Sequence, residues 1–242
     1  MKVVIIIPAR YGSSRLRGKP LYKILGREMV LRVADICSKV VGKENLYIAT
    51  DSKKISNVAQ DAKYKTIMTS NKCLTGTDRV AEAAMKVKAN VYINVQGDEP
   101  TINPKDIKNV ISAKIKYPNY VICGYDKVHK FENPKSENLP KVVVNHNQEL
   151  IYISRAVVPG KKNKEAKVNY LKQVCIYAFN REQLKKFHIK KKKSEKEKIE
   201  DIEILRFFDL NVKIKMVRLH SNSVAVDVIS DVKKAEKILI NE

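Results

Sequence analysis

Short apolar runs alternate with amphipathic stretches along this chain, and their order predicts a sheet of buried strands joined by helices. The apolar runs are rich in Val and Ile and are bounded by polar or turn-forming residues, which indicates strands at 3–7, 46–50, 91–95 and 121–125. Apolar positions recur at helical spacing in the other segments, at 29–40, 77–88, 104–117 and 232–239. This alternation favours an α/β fold with a mainly parallel sheet, and such sheets bind ligands at the carboxyl ends of their strands.

Length and composition fit one globular domain. The chain has 242 residues, and 44% of them are hydrophobic, which is enough for a sizeable core. No linker, internal repeat or transmembrane run interrupts it, and Pro8 and Arg10 cut off the first apolar stretch, which is too short for a signal peptide. We therefore expect a single domain over 1–242 with no membrane partner.

The charge balance is strongly positive. The chain carries 48 Lys and Arg against 26 Asp and Glu, a formal net charge of +22, which attracts polyanions. The cations are mostly lysines spread over the whole chain, and the local runs at 161–164 and 190–198 contain no aromatic residues that could stack on bases. A lysine-rich composition and an anionic substrate explain this charge, so we expect two exposed basic segments and no specific nucleic acid partner.

Cysteine usage indicates the compartment. The four cysteines, Cys37, Cys73, Cys123 and Cys175, are widely spaced and form no CxxC pair. They suggest neither a zinc site nor a disulfide framework. A reducing cytoplasm fits this usage best, and we predict a cytoplasmic protein.

The first strand leads into a strongly basic loop. Its cations are Arg10, Arg15, Arg17 and Lys19. Pro8 is expected to end the hydrogen-bond ladder of the strand, and Gly and Ser residues in the loop allow backbone N–H groups to turn toward a ligand. Four cations so close together repel one another unless an anion lies among them, and guanidinium groups bind phosphate oxygens bidentately. The loop therefore predicts a polyphosphate site, with a solvated loop of scattered charges as the alternative.

Carboxylates follow two further apolar runs. The run at 91–95 delivers Gln96 and Asp98 to the edge of the sheet where substrates bind. Asp98 is therefore placed to hold a magnesium ion against phosphates, although a turn before Pro100 explains the same spacing equally well. Asp227 ends a later apolar run, and on spacing alone a cap of the last helix is as good an interpretation as a functional role.

Two other segments carry candidate residues. LTGTDRVAE at 74–82 is typical of a loop leading into a helix, with Thr77 as the expected N-cap and free N–H groups behind it. YISRAVVP at 152–159 places Arg155 beside a strand, where an arginine is usually only solvated. Neither segment identifies a ligand by itself.

The motifs resemble those of one known family. The basic loop has neither the GxxxxGK[ST] nor the GxGxxG pattern of common nucleotide-binding loops. IPARYGSSRLRGKPL at 7–21 resembles the opening motif of sugar nucleotidyltransferases, and more narrowly of the 3-deoxy-manno-octulosonate (Kdo) cytidylyltransferases, and NVQGDEP at 94–100 resembles their second motif. The resemblance implies a single-domain, Rossmann-like nucleotide-diphospho-sugar transferase fold, a mixed, mainly parallel sheet flanked by helices. Its nucleotide-binding part is expected at about 1–125 and its sugar-acid and dimer part at about 126–220, with a return to the site near 227.

The resemblance also implies an activity, a cofactor and site residues. The activity is transfer of CMP from CTP to the 2-hydroxyl of a 3-deoxy-2-ulosonic acid with release of pyrophosphate, for lipopolysaccharide or other surface polysaccharide synthesis. The cofactor is magnesium (Mg2+), held by Asp98 and Asp227, and the expected assembly is a homodimer. The residues expected to act in catalysis are Lys19, Arg10, Arg15 and Asp98. Those expected to bind the nucleotide are Pro8, Ala9, Arg10, Ser13, Arg15, Lys19, Thr75, Gly76, Arg79 and Gln96, and those expected to bind the sugar acid are Arg155, Gln173, Tyr177, Glu203 and Ile204.

On the sugar side the chain departs from the family pattern. Gln173 and Cys175 stand where these enzymes have histidine and glycine, and Ile204 stands where they have a glutamine. A buried sugar hydroxyl left without its partner would cost about 1–3 kcal/mol. The acceptor is therefore Kdo or a different acid such as 8-amino-Kdo, and a basic, non-catalytic polyanion-binding protein remains the alternative of another class.

Overall fold

The computed structural model describes residues 1–12, 16–163, 165–220 and 223–240. The strands are β1 (Val3–Ala9), β2 (Lys23–Ile24), β3 (Arg27–Glu28), β4 (Leu46–Thr50), β5 (Lys65–Met68), β6 (Val91–Val95), β7 (Val121–Lys127), β8 (Lys141–Val144), β9 (Leu150–Ser154), β10 (Leu171–Phe179) and β11 (Ile214–Arg218). The helices are α1 (Met29–Val41), α2 (Lys53–Asp61), α3 (Gly76–Lys86), α4 (Pro104–Lys116), α5 (Arg181–Ile189), α6 (Glu195–Glu200), α7 (Arg206–Asp209) and α8 (Ile229–Ile240). None of the helices in these segments is both long enough and apolar enough to span a bilayer.

Nine of the strands form one sheet within the described part of the chain. Its order is β11-β7-β10-β6-β1-β4-β5, and the hairpin of β8 and β9 is attached to β10. β1 runs parallel to β4 and β6, β4 runs parallel to β5, and β11 runs parallel to β7. β10 is antiparallel to both neighbours, β6 and β7. The expected α/β fold with a mixed, mainly parallel sheet is confirmed.

Both faces of this sheet are buried, which explains why its central strands are apolar at consecutive positions. On β1, Val4 and Ile6 belong to one hydrophobic cluster, and Ile5 and Ile7 belong to the cluster on the opposite face. Helices α3, α5 and α7 contribute to the first cluster, and α1, α2 and α4 to the second. The sheet takes strands from both 1–125 and 126–220, and a single domain remains our prediction.

The end of β1 differs from its prediction. Pro8 was expected to end the ladder, but β1 pairs with β4 as far as Ala9, whereas its pairing with β6 stops at Ile6. The carbonyl oxygen of Pro8 faces Gly97, beyond the end of β6, at 3.0 Å from where a Cβ of that glycine would lie. The missing N–H of Pro8 therefore removes no hydrogen bond from the ladder with β4, and the strand continues.

The start of α3 also differs. The N-cap is Thr75 instead of Thr77: the Thr75 Oγ1 accepts a hydrogen bond from the Asp78 N–H at 3.1 Å, and Asp78 Oδ2 accepts one from the Thr75 N–H at 2.9 Å. This reciprocal capping box is carried by the spacing Thr-x-x-Asp, which the sequence contains. Thr77 is the second residue of α3 and is buried.

One buried arginine joins three helices. The Arg206 side chain is 0% exposed and forms ion pairs with Asp78 and Glu197, each with an N to O distance of 2.6 Å. Its guanidinium also lies 3.9 Å from the centre of the Phe187 ring. Because Asp78 caps α3 and Glu197 belongs to the capping box of α6, this one side chain fixes the starts of both helices.

We predict that Arg206→Met destabilises the fold by about 3–5 kcal/mol, because it leaves the buried Glu197 and the partly buried Asp78 without their cation. Urea unfolding followed by circular dichroism measures the change. Lys196→Met is the matched control: its ion pair with Asp209 is solvent-exposed, and its loss costs less than about 1 kcal/mol. Equal effects of the two variants would contradict this account.

Candidate active site

The centre of the site is an ion-paired lysine at the carboxyl ends of β1 and β6. Lys19 Nζ lies 2.7 Å from Asp98 Oδ2 and 3.1 Å from Asp227 Oδ1. Asp98 follows β6, and Asp227 precedes α8. The Val226 N–H donates to the Asp98 carbonyl at 2.9 Å, which holds the late segment against the strand end. The predicted convergence of these three side chains is therefore present in the structure.

The lysine is held in its charged form. Burial by itself lowers the pKa of Lys19, but the charges and hydrogen bonds of Asp98 and Asp227 outweigh burial and raise the pKa above its ordinary value. The Lys19 side chain is 14% exposed, and the two carboxylates are 28% and 33% exposed. A partly desolvated cation and two carboxylates that still reach solvent are thus available to a bound ligand.

The two carboxylates suit a divalent cation. Oxygens of Asp98 and Asp227 contact the same Nζ, so they already converge on one positive charge. Magnesium takes one or two carboxylates from a protein and completes its shell with water and substrate phosphates. No cluster of three or more Asp, Glu, His or Cys side chains suited to a metal occurs among the described residues. The donor set therefore fits magnesium bound together with a phosphate-bearing ligand.

Glu99 lies beside this centre and was not among the predicted site residues. Its side chain is buried, lines the same cavity and accepts a hydrogen bond from the Ser223 hydroxyl. Burial, aided by the charges of Asp98 and Asp227, raises the pKa of Glu99 to about 7. The only sequence signal was its position directly after Asp98.

The nucleotide side is built on the start of α3. A Cβ on Gly76 would lie 2.9 Å from the side-chain amide of Gln96, so a larger residue at position 76 would require that amide to move. Gln96 Nε2 donates to Glu203 Oε1 at 3.0 Å, and the Thr77 N–H donates to Glu203 Oε2 at 2.8 Å. Burial raises the pKa of Glu203, against the hydrogen bonds from Thr77 and Thr75 that lower it. Glu203 therefore connects the nucleotide side of the cavity with the wall predicted to hold the sugar acid.

Arg79 is engaged by the protein itself. Its guanidinium is 3% exposed, lies 2.8 Å from Asp51 Oδ2 and donates to Thr69 Oγ1. The residue lines the cavity, but these partners tie α3 to the ends of β4 and β5. Asp51 is a partner that the motif did not reveal.

Of the five residues predicted on the sugar side, four line the cavity, Glu203 among them, and one does not. Arg155, Gln173 and Tyr177 line it, and Gln173 Nε2 donates to the Tyr177 hydroxyl at 3.1 Å. The Arg155 guanidinium donates to the carbonyls of residues 137, 200 and 201. Ile204 is 1% exposed and packs in the hydrophobic core, so its expected contact with the sugar acid is corrected.

These groups share a cavity of about 390 Å³. The predicted residues that line it are Pro8, Ala9, Arg10, Lys19, Thr75, Gly76, Arg79, Gln96, Asp98, Arg155, Gln173, Tyr177, Glu203 and Asp227. Arg17 is exposed and does not belong to the lining. The predicted Ser13 and Arg15 lie outside the described residues.

Part of a predicted exposed segment also faces the cavity. Within the run 190–198, Lys193 lines the cavity and Ser194 and Glu197 are buried. The expectation of a fully exposed segment was wrong because Ser194 caps α6 and turns the chain inward. Asn138 and Asp201 join the same wall without any sequence signal.

An α/β sheet that gathers cationic side chains and two carboxylates at its strand ends places this protein among the nucleotide-binding transferases. The chain belongs to the cytidylyltransferase family, whose model, described as cytidylyltransferase, matches residues 4–214. The expected nucleotidyltransferase class is thereby confirmed.

Individual relatives match over the whole chain. The 3-deoxy-manno-octulosonate cytidylyltransferase of Escherichia coli is 35% identical over 241 residues, covering 100% of this chain and 97% of that protein. The 8-amino-3,8-dideoxy-manno-octulosonate cytidylyltransferase of Shewanella oneidensis is 34% identical over 246 residues and 99% of both proteins. A solved structure of CMP:2-keto-3-deoxy-manno-octonic acid synthetase complexed with CTP superimposes with a TM-score of 0.91 at 35% identity, covering 100% of this chain and 99% of that one.

We predict that the wild type loses stability relative to Glu99→Gln as the pH rises from 4.5 to 7. The difference between their free energies of unfolding is expected to change by about 3 kcal/mol over this range. Glu99 has a higher pKa in the folded state than in the unfolded state, so the unfolded state ionises first and stability is lost as the pH rises through this window. Urea titrations with EDTA, at pH 4.5, 6 and 8, measure the difference. A constant difference between the two proteins would contradict the raised pKa.

Proposed function

We propose that this protein transfers CMP from CTP to the 2-hydroxyl of a 3-deoxy-2-ulosonic acid, Kdo or a close relative, and releases pyrophosphate. The observation that carries the proposal is Lys19 between Asp98 and Asp227 in a cavity at the strand ends. The activities named for the relatives from Escherichia coli and Shewanella oneidensis support the choice of acceptor class. Two carboxylates at the centre of the cavity favour an enzyme over a non-catalytic polyanion-binding protein.

The reaction is a displacement at phosphorus. The acceptor hydroxyl oxygen forms a bond to the α-phosphorus of CTP, the bond from that phosphorus to the bridging oxygen breaks, and the hydroxyl proton is released. Lys19 and Arg10 stabilise negative charge on the triphosphate and on the departing pyrophosphate. Arg15 is assigned the same role through its place in the opening motif. Positioning and charge stabilisation supply most of the catalysis, because no covalent intermediate with the protein is needed.

Asp98 and Asp227 are the residues that would hold magnesium. The chemistry that the ion supplies when bound is a lower pKa for the acceptor hydroxyl and neutralisation of charge at the α-phosphate. Glu99 lies next to Asp98 and is buried, so it is not assigned as a ligand of the ion. The four histidines are not required as bases in this scheme.

The two substrates contact different walls of the cavity. We assign the nucleotide to Pro8, Ala9, Arg10, Lys19, Thr75, Gly76, Arg79 and Gln96, and we add Ser13 and Arg15 through their place in the opening motif. The acceptor is assigned to Arg155, Gln173, Tyr177 and Glu203. Because Ile204 faces the core, it makes no contact with the acid, and the choice of acid depends on the polar residues of the cavity wall.

The compartment, the pathway and the oligomeric state of the enzyme are proposed as well. We propose that the enzyme is cytoplasmic, which is supported by its four cysteines, all of them free thiols. We also propose that it acts in surface polysaccharide synthesis. We also propose a homodimer, supported by the hairpin strand β9, which pairs only with β8 among the described strands and exposes 56% of Ile151. Size-exclusion chromatography with light scattering gives the oligomeric state directly.

We predict that Asp98→Asn lowers kcat by about 100-fold or more, because it removes a charged ligand from the centre where negative charge develops. The measurement is pyrophosphate release with CTP, Kdo and magnesium. EDTA abolishes the release in the wild type, and added magnesium restores it. Asp209→Asn is the control, because it is also an ion-paired aspartate but lies on the surface, and it keeps the wild-type rate. Wild-type rates for Asp98→Asn, or turnover in EDTA, would overturn the proposal.

A further inference from the structure

A second ion pair, between Lys193 and Asp201, lines the acceptor wall of the cavity. Lys193 Nζ lies 2.7 Å from Asp201 Oδ1. The lysine side chain is 23% exposed and its partner is 73% exposed, so the lysine is the more enclosed member. Neither residue belongs to a motif of the sequence, and neither takes part in the reaction described above.

Other cations surround the same carboxylate. Arg155 Nη2 donates to the backbone carbonyl of Asp201 at 3.1 Å. The hydrogen bond from Lys193 is the main cause that lowers the pKa of Asp201, and the charges of Arg155 and Arg10 lower it further. The charges of three cations therefore act on the Asp201 carboxylate, and Lys193 is the one that contacts it directly.

Every carboxylate that lines the cavity in the described part of the chain already has a donor. Asp98 and Asp227 contact Lys19, and Asp201 contacts Lys193. Glu99 accepts from Ser223, and Glu203 accepts from Gln96 and Thr77. Beside Lys193, a hydroxyl group of the acceptor can accept a hydrogen bond from the lysine, whereas an ammonium group offers the lysine no acceptor.

Resting on the proposed function, we propose that Lys193 is a specificity-determining residue that selects acceptor acids bearing only hydroxyl groups over acids in which an ammonium group replaces a hydroxyl. An ammonium group, like the Lys193 side chain, has hydrogen-bond donors and no acceptor, so the two cannot pair and their charges repel. Asp201 is the positioning residue that holds the lysine and moderates the repulsion. The inference distinguishes Kdo from its 8-amino analogue as the acceptor.

The experiment compares kcat/KM for Kdo and for 8-amino-Kdo at pH 7, with CTP and magnesium, by pyrophosphate release. The wild type is expected to prefer Kdo by about tenfold or more, which corresponds to ~1.4 kcal/mol. Lys193→Met lowers this preference several-fold, and Asp201→Asn raises it, because one variant removes positive charge and the other removes negative charge. Added salt weakens the preference of the wild type, because charges near the cavity entrance are screened.

Lys192→Met is the matched control, since it removes an exposed lysine of the same run that does not line the cavity. It keeps the wild-type preference. The inference is overturned if the wild type uses 8-amino-Kdo as well as Kdo, if Lys193→Met and Asp201→Asn shift the preference in the same direction, or if the control shifts it equally. Absence of transfer to either acid would instead overturn the proposed function, and the inference with it.

Discussion

The structure of the site depends on one interaction, the pairing of Lys19 with two carboxylates that are far away in sequence. Asp98 is 79 residues from the lysine and Asp227 is 208 residues away. Without the lysine, two carboxylates would repel each other at the strand ends, and without the carboxylates a lysine this enclosed would lose its charge more easily. The three groups stabilise one another and so bring the loop after β1, the end of β6 and the segment before α8 to one place.

Around that centre, a second network joins the two walls of the cavity. Glu203 accepts hydrogen bonds from Gln96 and from the start of α3, and Arg206, three residues later, pairs with Asp78, which caps the same helix. The segment 203–206 therefore contacts the nucleotide wall twice. Because these contacts are partly buried and charge-assisted, they oppose movement of one wall of the cavity relative to the other.

The fold and the centre of the site followed from the sequence because both depend on local patterns. Runs of Val and Ile predicted the buried strands, and parallel strands bring their carboxyl ends together, so Lys19 and Asp98 were expected to meet. The direction of individual side chains did not follow. Glu203 and Ile204 are neighbours in a short 3-10 turn, and only the turn decides that one faces the cavity and the other the core. Arg79 and Lys193 have roles set by their ion-pair partners, Asp51 and Asp201, which no motif of the sequence indicates.

The end of β1 allows the sheet to open at the cavity. The strands β1 and β6 stop pairing at Ile6, and the carbonyl of Pro8 points across the seam toward Gly97. In a strand the N–H and the carbonyl of one residue point to the same side, so any other residue at position 8 would direct a donor into a gap where no strand remains to accept it. Proline has no such donor. The sheet can therefore open between β1 and β6 without leaving an unpaired N–H at position 8, and the cavity lies at this opening, where Pro8 and Gly97 line it.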